Sequence, residues 1–123
     1  MNPINSIHFV TGKLAEGALR EIVASLAQKL QFQYTIDVLP ITVAALMTPP
    51  WLLKHIRIPS DATRVILPGY LAPGLEEIRR SIETQATIEC GPKDVRDLPT
   101  MFGKKRFKGE DYGDYTIEII AEI

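Results

Sequence analysis

Four short β-branched or aromatic runs, residues 6–10, 34–39, 64–67 and 86–90, each stop at a glycine or proline, and helix-period sequence separates them. This alternation limits the possible folds more than any other feature. After the first run, Leu14, Ala15, Ala18, Leu19, Ile22, Val23, Leu26, Ala27 and Leu30 fall on one helical face, with Glu16, Arg20, Glu21, Gln28 and Lys29 outside it. The second connection reads as two short helical pieces, 42–47 and 48–56, with Thr48 as N-cap and Pro49 in the first turn. Pro73, Leu75, Ile78 and Ile82 mark a third helix. Strands joined through helices run parallel with right-handed crossovers. The expected fold is an α/β three-layer sandwich, flavodoxin/Rossmann-like. Its sheet should be mainly parallel, of four to five strands, in the favoured order 2-1-3-4.

At 123 residues the chain suits one domain with a core of its own. Fourteen basic against fifteen acidic residues leave no global field for nucleic acid or an anionic membrane, so neither is expected as a partner. The single cysteine, Cys90, excludes an intramolecular disulfide and a multi-cysteine zinc site, and reads as a buried strand residue. Residues 1–5 carry no basic-then-apolar signal, and no run approaches the ~18 apolar residues of a membrane span. A cytoplasmic location is the expectation.

In an open parallel sheet, ligands bind outside the carboxyl ends of the strands, near the reversal of strand order. The loops that meet there carry Thr11-Gly12-Lys13, Pro40-Ile41-Thr42, Pro68-Gly69-Tyr70 and Gly91-Pro92-Lys93-Asp94. Glycine lets backbone approach a ligand closely, and lysine beside a helix start favours an anion. The same residues also make ordinary tight turns. The candidate ligand-binding set is Thr11, Gly12, Lys13, Thr42, Gly69, Tyr70, Gly91, Lys93, Asp94 and Arg96. Asp94 and Asp97, three apart around Arg96, either do acid/base work or, as the preferred reading, cap a turn and pair with arginine.

Other motifs fail on spacing. Val10-Thr11-Gly12-Lys13 lacks both the upstream glycine and the Ser or Thr that a triphosphate loop needs, and no G-x-G-x-x-G occurs. His8 lies in a strand and His55 beside Trp51, without ligand-spaced partners, so neither a metal nor a cofactor is expected. Residues 104–111 read as an exposed loop, whose basic cluster Lys104 to Lys108 is a solvated surface rather than a phosphate or RNA contact. Residues 115–123 read as a final strand without a stop signal. The expected division is 1–112 as an α/β accessory domain, and 113–123 as a final strand or the start of a following barrel domain absent from this chain.

The segments 8–16, 38–49, 67–70, 91–99 and 117–123 together resemble the N-terminal region of the dihydropteroate synthase-like proteins, linked to tetrahydromethanopterin-dependent one-carbon metabolism. The resemblance implies that a synthase-like barrel follows this region and supplies the pterin pocket, so it carries over no catalytic residue. It implies an accessory domain in pterin cofactor biosynthesis that binds a small polar or anionic ligand, of pterin type, or docks the barrel of the same protein. Its parent would be a pterin-related transferase. A second reading is an interaction module that forms homodimers through residues 104–108 and the C-terminal strand.

Overall fold

The computed structural model describes residues 5–103. Strand β1 (Ser6–Thr11) leads through helix α1 (Glu16–Leu30) to β2 (Gln33–Val38). A 3-10 turn (Ala44–Leu46) and helix α2 (Pro49–His55) precede β3 (Arg64–Leu67). A second 3-10 segment (Gly69–Gly74) runs into helix α3 (Leu75–Ser81), followed by β4 (Thr87–Cys90) and a third 3-10 segment (Val95–Phe102). The loop expected at 104–111 and the strand expected at 115–123 lie outside the described residues.

The four strands form one all-parallel sheet in the order β2-β1-β3-β4, the α/β arrangement of Rossmann- and flavodoxin-like folds. Phe9 of β1 aligns with Ile36 of β2 on one side and Ile66 of β3 on the other. Because β1 is paired on both edges and covered on both faces, all six of its residues are buried. Its alternating side chains divide the core. Ile7 and Phe9 join Leu19, Ile22, Val23 and Leu26 of α1 and Leu98 of the last 3-10 segment. Val10 joins Leu52 of α2, Ile78 of α3 and the β3 residues Val65 and Leu67 on the opposite face. The result is three layers, with α1 and the 95–102 segment on one side and α2 and α3 on the other.

Local signals set most boundaries. Thr48 Oγ1 accepts the Trp51 N–H at 3.4 Å and caps α2, with proline in its first turn. Gly103, at φ 75°, ends the last 3-10 segment in the left-handed region that glycine tolerates. Two expectations fail. Leu14 and Ala18 do not join the buried face of α1: the helix starts only at Glu16, and Leu14, 74% exposed, donates its N–H to the Thr42 carbonyl at 2.9 Å. Ala18 is exposed on the solvent side. Cys90, expected to be buried, is half-buried at the end of edge strand β4. Among the described residues no helix is long and apolar enough to cross a membrane.

The one buried charge-bearing side chain of β1, His8, sits on the α2 side, 4% exposed. Its Nδ1 lies 2.6 Å from Thr35 Oγ1 on β2, and its Nε2 lies 3.7 Å from Asp37 Oδ2, which also accepts the Arg57 N–H at 3.4 Å. Nε2 is a lone pair facing a carboxylate or an N–H facing it. Only the second is attractive, so Thr35 donates to Nδ1 and the proton sits on Nε2. Burial holds the imidazole below its ordinary 6.5, against the opposing pull of Asp37. Between the native and the unfolded values the unfolded chain binds more protons, so this contribution is full above pH 6.5 and is lost as pH falls through the native value. Urea midpoints measured from pH 7.5 downward should therefore begin to fall just below pH 6.5. His8→Gln should flatten that first decline and leave the later one, below about pH 4.5, where Glu89, held low by Arg64, takes up its proton.

Candidate functional site

Chain reversal creates a crevice. From β1 the chain goes to β2 on one side by way of α1, and then to β3 on the other side by way of α2. The loops leaving β1 and β3 therefore diverge over opposite faces of the sheet and leave a gap at the carboxyl edge. A cleft of about 340 Å³ occupies that place. Val10 and Thr11 of β1 and Ile66 and Leu67 of β3 form its floor, Ala15 and Leu19 one wall, and Val95 and Leu98 the other. Pro68, Gly69, Tyr70, Gly91, Pro92, Lys93 and Asp94 make its lip.

The lip is shaped by backbone packing at glycine. A Cβ on Gly69 would fall 2.6 Å from the Lys93 nitrogen and 2.7 Å from the Gly91 oxygen, so the loops after β3 and β4 touch through bare backbone. Gly91 also donates its N–H to the Leu67 carbonyl at 2.8 Å, continuing the parallel ladder one step past β4. On the opposite side a Cβ on Gly12 would meet the Ile41 oxygen at 2.8 Å. Beside it, Lys13 and Leu14 donate to the Ile41 and Thr42 carbonyls, at 2.8 and 2.9 Å. That contact ties the β1 loop to the β2 loop and brings Ala15 and Ala44 to the mouth.

The wall formed by residues 95–102 is anchored at its far end. Phe102 stacks on Phe32 with ring centres 5.7 Å apart, and the Arg64 guanidinium lies 5.1 Å above the Phe102 ring. Arg64 is held by two hydrogen bonds to Glu89, 2.7 and 3.0 Å, so the β3–β4 ion pair also positions the wall. The near end is capped by Asp94, whose carboxylate accepts the Arg96 N–H at 2.9 Å and two guanidinium N–H groups at 3.1 and 2.7 Å. Capping and arginine pairing are thus the visible work of Asp94 and Arg96.

Of the ten candidate residues, Thr11, Gly69, Tyr70, Gly91, Lys93 and Asp94 line the cleft. Gly12, Lys13, Thr42 and Arg96 lie outside its lining: Gly12 and Thr42 belong to the loop-to-loop contact, and Lys13 points into solvent. Lys93 and Tyr70 come together, the ammonium 5.5 Å from the ring centre. The residues missed from sequence are the apolar ones, Phe9, Leu19, Ile66, Val95 and Leu98 above all. They look like core in any periodicity reading; the only available signal was their position at strand ends and in the first turn of a helix.

A family model described as a family of unknown function, DUF6513, matches residues 5–93. The chain belongs to that family. The match takes in all four strands, the first three loops at the carboxyl edge and the fourth as far as Lys93. No curated protein and no solved structure matches the chain.

Gly69→Ala should lower the stability to urea by about 1–3 kcal/mol, because backbone rather than a movable side chain blocks the new methyl group. Gly17→Ala in α1, where nothing lies within 4 Å, should instead raise it by about 0.5–1 kcal/mol.

Proposed function

We propose that this chain is the ligand-binding accessory domain of a dihydropteroate synthase-like protein, acting in pterin cofactor biosynthesis of the methanopterin type. Ligand binding is supported by one observation above the rest: a cleft of small-molecule size lies where strand order reverses, lined from the connections after all four strands. The pterin connection rests on the resemblance in those same loops. A flat heterocycle suits a cleft of this size with an aromatic ring, a hydroxyl and an ammonium group at its lip. In this reading the domain holds or delivers a ligand, and the transfer chemistry belongs to the barrel of the parent protein.

Calorimetry with pterin, pterin-6-carboxylate and phosphorylated pterin precursors tests the reading. Binding of at least one of them is expected. It should be weakened by Lys93→Ala, which alters the lip, and unchanged by Lys13→Ala, which does not. Absence of heat for all of them, or equal sensitivity to both lysines, would count against it.

A second reading, an interaction surface, is favoured by a separate observation. Leu14 and Leu46 are 74% and 70% exposed, and with Val43 and Tyr70 they stand in the loops around the mouth. An exposed apolar cluster of this kind suits the barrel of the same protein or a second copy of this chain. The other surface proposed for dimer formation, residues 104–108 with the C-terminal strand, lies outside the described residues. Light scattering at rising concentration separates the cases. A dimer that the Leu14→Ser, Leu46→Ser double variant dissolves favours pairing at the mouth, whereas a monomer at all concentrations removes the second copy as the occupant.

A further inference from the structure

The lining of the cleft narrows its ligand further, on the reading that this cleft binds a small molecule. We infer that it takes an amphiphilic monoanion: a flat apolar body inserted toward α1 and the 95–102 segment, with one carboxylate-like group left at the lip beside Lys93. The inner surface consists of Phe9, Leu19, Ile66 and Leu98, each no more than 5% exposed. None carries a side-chain polar atom. A sugar or a polyhydroxylated body placed there would give up its hydrogen bonds to water and find no replacement, whereas an aromatic or alicyclic body loses nothing.

The polar groups are confined to the outer part and differ in what they still have to offer. Thr11 is 5% exposed, lines the cleft, and has no side-chain hydrogen bond among the described residues. Its hydroxyl is an unpaired donor and acceptor in the cleft lining, and the ligand can supply its partner. The Lys93 ammonium forms no ion pair among the described residues and stands over the Tyr70 ring, which holds it at the lip. Asp94 also faces the cleft, but its charge is already met by the Arg96 fork. One cation at the lip therefore awaits an anion. A second negative charge on the ligand would meet the Asp94 carboxylate instead. The sequence lacks the glycine spacing and following Ser or Thr with which a triphosphate loop surrounds phosphate with N–H groups. Single charge, rather than phosphate, is the matching chemistry. At about 340 Å³ the cleft lies near the lower end of the ~300–1,000 Å³ typical of ligand sites, room for a body of about two fused rings.

The test compares four compounds on the full chain by amide NMR titration: 2-naphthoate, the neutral 2-naphthamide, 2-naphthyl phosphate and inorganic phosphate. The expected result is that 2-naphthoate shifts the Thr11, Gly69 and Leu98 amides and binds about tenfold more tightly than 2-naphthamide. Lys93→Gln, an exposed substitution at the lip, should erase that difference while leaving 2-naphthamide unchanged. Equal binding of acid and amide at those amides would overturn the anion assignment and leave the cleft as a ligand site. Tighter binding of 2-naphthyl phosphate, or binding of inorganic phosphate alone, would overturn the single-charge and apolar-body assignments respectively. If none of the four shifts these amides, the apolar-body inference falls, while the proposed function is decided separately by the calorimetry with pterins.

Discussion

Parallel pairing of β1 on both of its edges is the constraint from which the rest of the structure follows. A strand paired on both sides and covered on both faces has no solvent-facing position, and β1 is buried at all six residues. Its two neighbours are reached in opposite directions, β2 through α1 and β3 through α2, and the right-handed crossover puts those helices on opposite faces. The gap at the carboxyl edge is the geometric remainder of that arrangement. It would exist in any sequence that folded this way, and what is particular here is how the gap is lined.

Two kinds of contact give the lining its form. Backbone meets backbone at Gly12 and Gly69, where a side chain would force the loops apart by more than either could yield. Farther down, Glu89 holds Arg64, Arg64 covers Phe102, and Phe102 stacks on Phe32, which fixes the segment bearing Val95 and Leu98 against the sheet. The first contact sets the mouth and the second sets the depth. The second uses no residue of the cleft lining and the first uses only backbone at the lip, so the Lys93 and Tyr70 side chains can vary in chemistry without loosening the frame.

Much of the architecture was legible because it is local. Strand runs ended by glycine or proline, the Thr48 cap and the strand order are all found where the pattern puts them. Leu14 was misread because helical periodicity does not reveal that its N–H is claimed by a carbonyl from another loop, at Thr42. Lys13 and Lys93 looked alike in sequence, each one or two residues past a glycine at a strand end. Only Lys93 lines the cleft, since β4 delivers its loop across Gly69 while the β1 loop turns away toward Ile41.

The sequence by itself determined the class of fold, the alternation of strands with helices and the order of the strands. Those properties follow from periodicity, turn chemistry and the handedness of crossovers, which act over a few residues at a time. Tertiary structure alone decided that the cleft at that edge is largely apolar, that Lys93 stands at its lip with Asp94 engaged by Arg96, and that Phe9, Leu19, Ile66 and Leu98 serve both as core and as lining. A residue's pattern records that it is turned away from water. Whether it is turned toward other side chains or toward a cleft depends on how three distant segments pack, and that is set by contacts between segments.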